Sequence, residues 1–135
     1  MQHPIKRLRT GLPLSGLLLV GGCIAAAAGA GAAGAVYITE RGAEAQIAAS
    51  VSRSADATRQ VFQEMSITET KSSNEQDGGV EKRSIEGKLS DREIEVDLKA
   101  QGSGTNVDVV AKKTVVTWDK DLAKKILNRI VEVAK

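Results

Sequence analysis

The chain reads as an α+β domain: a two-layer sandwich of β-α-β-β-β-β-α order, with an antiparallel sheet covered by two helices. Three observations predict this. First, Ile94, Val96, Leu98 and Ala100 alternate with Glu93, Glu95, Asp97 and Lys99, and period two with one apolar face marks a half-buried strand. Second, Gly102-Ser103-Gly104 offers hairpin turn chemistry before another alternating run, Val107, Val109 and Ala111 against Asp108, Val110 and Lys112. Third, Leu122, Ile126, Ile130 and Val133 recur at helical spacing. Antiparallel strands with one polar face need cover on the other, and amphipathic helices supply it.

Each element follows from local pattern. Ala45, Ile47, Ala49 and Val51 alternate with polar or small residues, which predicts a first strand running to Val51. Ser54 offers an N-cap hydroxyl and Asp56 a first-turn negative charge. Thr58, Val61, Phe62 and Met65 then share one helical face, so a helix is expected at about 55–65. Ile67 to Ser72 is Thr-rich and reads as a strand at a sheet edge. Ser73 to Gly79 reads as a loop by its turn residues. Strand patterning returns over Val80–Leu89, where Gly87 lies between Ile85 and Leu89 on one face. That glycine predicts either close helix approach or a bulge. Ser90-Asp91-Arg92 turns the chain into the third strand of this run. Asp119 is a good N-cap for the last helix, and Asp121 suits its first turn. Ala123, Leu127 and Ala134 widen the apolar face, while Lys124, Lys125, Asn128, Arg129 and Glu132 occupy the other.

The N-terminal third has a different character. Lys6, Arg7 and Arg9 precede an apolar run from Leu12 to Val20, and Val20-Gly21-Gly22 leads into Cys23, the only cysteine. Charge, apolar run and small residues are the parts of a secretory signal. Ending on Cys, the arrangement resembles the lipobox of a bacterial lipoprotein. That resemblance implies cleavage between Gly22 and Cys23, a diacylglycerol on the Cys23 thiol and attachment to the membrane through acyl chains. Two or more chains anchor a protein stably. Ile24 after the cysteine implies the outer membrane, facing the periplasm, in enterobacteria-like sorting. The domains expected are therefore a signal peptide at 1–22, an Ala/Gly-rich tether at 23–43 and the α+β domain at 44–135. A second reading stays open. No charge falls between Thr10 and Thr39, and ~20 apolar residues suffice to span a bilayer. Small-xxx-small spacings such as Ala25/Gly29 and Ala30/Gly34 suit helix packing there, which would give an uncleaved, self-associating anchor.

Charge narrows the partners. The whole chain carries +2, from 19 Lys and Arg against 17 Asp and Glu. Loss of the leader removes Lys6, Arg7 and Arg9 and turns the balance slightly negative. Nucleic-acid binding then lacks its basic surface. Tyr37, Phe62 and Trp118 are the only aromatics, too few for a base-stacking platform.

A lipobox, an Ala/Gly run ending near Tyr37-Ile38, a β-α start, two hairpins and a C-terminal helix together resemble a family of short bacterial lipoproteins with a domain of unknown function. The resemblance covers most of the chain and rests on layout and on the stretch from Gly34 to Gly42. It implies a fold and a compartment but no chemistry. The layout also looks broadly like the helix-grip domains of outer-membrane assembly lipoproteins, a fold-level analogy.

The chemistry-bearing residues are few. His3 is the only histidine and lies in the leader, so Ser-His-Asp and Cys-His mechanisms are excluded in the mature chain, as is a His/Cys metal site. No phosphate-binding glycine loop occurs. Glu93, Glu95 and Asp97 share a strand face and read first as a solvated surface with Lys112 and Lys88 as cross-strand partners. Asp119-Lys120-Asp121 reads as a helix cap rather than a calcium loop. Trp118 reads as a core residue at the head of the last helix or, if exposed, as an interaction anchor. Lys124, Lys125 and Arg129 read as a solvated face or a contact for anionic lipid. The expectation is a non-enzymatic, lipid-anchored envelope protein without cofactor, metal or nucleic-acid partner, presenting a sheet face or helix edge to an envelope protein. A small-ligand or lipid-binding module is the alternative, with a cavity between helices and sheet.

Overall fold

A computed structural model describes residues 35–135. The leader, Gly22, Cys23 and the tether up to residue 34 lie outside the described residues. The elements are β1 (Val36–Ile38), β2 (Gly42–Ile47), α1 (Val51–Glu64), β3 (Thr68–Asp77), β4 (Val80–Leu89), β5 (Arg92–Gln101), β6 (Gly104–Lys112) and α2 (Lys120–Val133). The strands form one antiparallel sheet in the order β1-β2-β6-β5-β4-β3. Both helices pack on one face, α2 over β1, β2 and β6, α1 over β3 to β6. This is the α+β sandwich expected, with one more strand, β1, at the front.

β1 and the start of β2 fall within the stretch expected to be tether. Thr39 closes the turn between them: its N–H donates to the Gly42 carbonyl at 2.9 Å, and its hydroxyl accepts from the Gly42 N–H at 3.0 Å. Three residues carry too little pattern to declare a strand.

The first strand and first helix meet earlier than their patterns suggest. β2 ends at Ile47, and Val51 opens α1 rather than closing a strand. Ser50 is the N-cap, its hydroxyl accepting from Arg53 N–H at 3.1 Å. Ser54, the expected cap, is buried inside the helix, and its hydroxyl donates back to the Ser50 carbonyl at 2.8 Å. Thr58 does the same to Ser54 at 2.8 Å. Bonding to the carbonyl one turn back lets both hydroxyls enter the core without an unpaired donor. Asp56 consequently falls beyond the first turn, which holds no acid.

β3 runs to Asp77, and the loop expected at 73–79 shrinks to Gly78-Gly79. Those two have φ of 59° and 82°, the left-handed pair that a two-residue hairpin turn requires. Residues 73–77 are polar and mostly exposed because β3 is an edge strand. Charged and polar side chains there discourage pairing with other chains.

The core lies between the layers. Ile47, Ile85, Ile94, Val96, Leu98, Val107 and Val109 rise from the sheet to meet Val61, Phe62, Ile126, Leu127 and Ile130, all buried. Gly87 is a site of close helix approach, and the bulge its position also suggested lies across from it, in β3. A Cβ at Gly87 would stand 2.6 Å from Phe62 Cε2 and 2.7 Å from Ile67 Cγ2, and β3 shifts register between Glu69 and Lys71, beside the residues that pair with Gly87 and Glu86. α2 is capped as expected: Asp119 Oδ1 accepts from Leu122 N–H at 3.0 Å, and Asp121 lies in the first turn. Its buried face centres on Ala123, Ile126, Leu127, Ile130 and Val131, with Leu122 and Val133 at the margins.

Candidate functional site

The sheet face away from the helices carries the candidate site. Strand alternation decides which side chains reach it, and register decides which become neighbours. One row across the sheet runs Tyr37, Glu44, Asp108, Asp97, Ser84, Ser73. The next runs Gly42, Val110, Glu95, Glu86, Lys71. Acids on four adjacent strands thus form a contiguous field: Glu44, Asp108, Asp97, Glu95 and Glu86.

At its margin the field is paired. Lys112 reaches Glu95 at 3.1 Å, and Lys71 reaches Glu86 at 3.4 Å. Lys112 was expected as a cross-strand partner. It is the register partner of Glu93, yet bonds diagonally to Glu95. Lys88 also stands opposite Glu93.

The centre is not paired. Asp97 and Asp108 are direct register partners, and like charges directly opposite are destabilising. Asp108 is half-buried, and its Oδ1 is buried without a hydrogen-bond partner. Crowding by the neighbouring strands pushes the Asp108 carboxyl above the usual range, and the charges of Glu44 and Asp97 add to this, against the opposing pull of Arg41. Asp97 keeps more solvent access, but desolvation raises it too. The Ser84 hydroxyl opposes that shift, while Glu95 and Glu86 reinforce it. Among the described residues no group of His, Cys, Asp and Glu is arranged to hold a metal ion.

Two shallow depressions flank this row on the open face. One, of about 330 Å³, is lined by Ser73, Glu75, Lys82, Ser84, Asp97 and Lys99. The other, of about 380 Å³, is lined by Thr70, Glu86, Lys88, Glu93, Glu95 and Lys112. A shallow, charged surface suits a polypeptide segment better than an enclosed small molecule, which prefers deep apolar pockets.

The remaining candidates fall elsewhere. Glu93, Glu95 and Asp97 do share one face of β5, but the close neighbour of Asp97 comes from β6. Asp119 is engaged as a cap, and its Oδ2 accepts from Arg92 Nε at 3.2 Å. Trp118 sits directly before that cap, bridged to Lys112, with about 36% of its surface exposed. It is both a helix-leading residue and an open one. Arg129, read as part of a solvated face or a contact for anionic lipid, is tied to Glu64 at 2.7 Å and Glu132 at 2.9 Å. Lys124 and Lys125 are exposed. No helix among the described residues is long and apolar enough to cross a membrane.

Comparison of the chain with protein-family models, with curated proteins and with solved structures finds no match.

Glu44 and Asp108 escape a reading of the sequence by single strands. Their alternation marks them as outward, but only the strand order brings β2, β6 and β5 side by side.

Proposed function

We propose that this chain is a non-enzymatic, lipid-anchored protein of the bacterial cell envelope, allied to the short lipoproteins it resembles. In this reading cleavage falls between Gly22 and Cys23, acyl chains on Cys23 hold the protein to the outer membrane, and the α+β domain faces the periplasm. The domain acts as a protein-interaction module. Its open sheet face receives a Lys- or Arg-bearing segment of an envelope partner.

One observation carries the reading. Asp97 and Asp108 stand opposite each other with raised pKa values and an unpartnered buried oxygen. An incoming cation would relieve the like-charge repulsion between the two carboxylates, so binding gains what the free domain lacks. The two open-face depressions are on the side away from the helices. Between helices and sheet the apolar side chains are almost completely buried, which favours a surface docking role over an interior ligand.

A photo-crosslinking side chain at Ser84, beside Asp97 on the open face, tests this in the native envelope. The expected result is a discrete protein adduct that high salt and the Asp97→Asn/Asp108→Asn variant both suppress. An equal yield from a crosslinker at Asn128, on the exposed side of α2, would contradict the reading, as would no adduct at Ser84.

A further inference from the structure

We propose that the link between β6 and α2, residues 113–118, is a membrane-contact tip that seats in the lipid interface. After Lys112 the strand ends, and Thr114 and Thr117 close a tight loop over Val115 and Val116. The Lys113 and Thr114 N–H groups both donate to the Thr117 carbonyl, at 2.9 and 3.2 Å. The two threonine hydroxyls lie 2.6 Å apart, and the Val116 N–H donates to the Thr114 hydroxyl at 3.4 Å. The tip thus satisfies three of its own backbone donors, which lowers the cost of leaving bulk water for the interface.

Exposure supplies the second part. Val115 is 97% exposed and Val116 73%, with Trp118 behind them at 36%. These are three of the five large apolar side chains left open among the described residues. Two β-branched aliphatics at the apex, tryptophan one step back and Lys113 and Lys120 on either flank reproduce the layering of an interface. Apolar groups go deepest, the indole sits at headgroup level, and the cations reach toward phosphate.

The occupant follows from area and reach. A stable protein interface takes about 800 Å² from each partner, more than a narrow apex of two valines and one edge of an indole offers. A bilayer needs no shape complementarity and accepts a wedge. The chain also enters the domain within range. Val36 pairs with Ala45, and Ala45 with Val107, five residues before Lys112 on β6, a span of about 17 Å. Residues 24–35 extend at most about 40 Å, so acyl chains on Cys23 and the tip can meet one membrane. The tip alone is a weak anchor. It relies on the high effective concentration that tethering gives, and so this inference rests on the lipid anchor proposed above. Asp91, Glu93, Asp119 and Asp121 accompany the lysines at this end of the molecule, so the contact is driven by apolar insertion and depends little on salt or on anionic lipid.

Trp118 is the only tryptophan in the chain, which makes the test direct. The full chain is extracted from membranes and reconstituted in phosphatidylcholine vesicles with and without bromine on the acyl chains. Flotation and tryptophan emission are measured on the same samples. The expected result is flotation, a blue-shifted emission, loss of emission in brominated lipid and protection from acrylamide. The Val115→Asp/Val116→Asp variant is expected to float equally, keep the native denaturation midpoint and lose both quenching and protection. Native protein that floats while Trp118 stays open to acrylamide would overturn the tip and leave the anchor standing. Failure to float would remove the anchor reading and the tip with it. Quenching that survives the double Asp substitution would overturn the role of the valines. Protection that appears only on adding envelope proteins would give the tip to a protein partner and overturn the lipid assignment.

Discussion

The helix side of this sheet and the centre of its open face handle charge in opposite ways. On the helix side, carboxylates are matched. Glu64 receives a two-pronged hydrogen bond from Arg129 of α2, at 2.7 and 3.2 Å, and its pKa is lowered chiefly by that bond and then by Gln60. Asp119 is lowered first by the Leu122 backbone N–H and then by Arg92. On the open side, Asp97 and Asp108 face each other and both are raised by desolvation. The first arrangement stabilises the free domain. The second works against it and is compensated by the packed core. A domain that matches its charges on the helix side, and leaves Asp97 and Asp108 unmatched at the centre of its open face, has that centre available for a partner.

The largest expected effect lies in the covered layer and sets the scale for the rest. Phe62→Ala removes a ring buried between α1 and Gly87 and should cost about 3–5 kcal/mol, read as a loss of denaturation midpoint. Gly87→Val overpacks the same spot and should cost about 1–3 kcal/mol. Combined with Phe62→Leu it should cost less than the sum of the two single changes, because the shorter side chain gives room to the new methyls. Strict additivity would show that the two sites are not coupled across the layers.

A smaller effect sharpens the electrostatic contrast. Asp119→Ala removes the α2 cap and should cost about 0.5–2 kcal/mol at neutral pH. The folded-state pKa of Asp119 lies below the unfolded value of about 4, so its ionic contribution is present above that value. That contribution fades as pH falls through the folded one. The deficit of the variant should therefore shrink in acid.

The open face should give the opposite sign. Like-charge cross-strand pairs are worth a few tenths to about 1 kcal/mol, so Asp97→Asn/Asp108→Asn should stabilise the domain by up to about that amount. For a carboxyl raised on folding, the destabilisation sets in as pH rises above the unfolded value of about 4. It is complete once pH passes the folded one. The gain should then grow as pH rises from about 4 toward neutrality and vanish in acid. Asn keeps the volume and adds donors, so the core is left as it was.

Much of the frame was legible in the residues. Asp119 followed by an apolar stripe announced α2, and strict alternation announced β5 and β6, because both patterns are local. Where neighbouring signals overlap, legibility fails. Ala45 to Val51 alternates throughout, yet the strand stops at Ile47, since Ser50 rather than Ser54 accepts from the first-turn N–H groups. The alternation of small residues could not reveal that. β1 was invisible because three residues hold no period. Residues 73–77 looked like a loop because an edge strand has no apolar face to display. The open-face site was half legible. Glu93, Glu95 and Asp97 stood out along β5, whereas the Asp97–Asp108 juxtaposition depends on the register between β5 and β6 and on β2 closing the other side.

One measurement tests the contrast between the faces most directly. Denaturation midpoints of the native chain and of the Asp97→Asn/Asp108→Asn variant are compared at pH 7 and pH 4. The account expects the variant to be the more stable protein at pH 7, with the difference closing at pH 4. A variant as stable as the native chain at pH 7, or less stable, would show that the open-face acids are already satisfied, and the case for a cationic partner on that face would lose its basis.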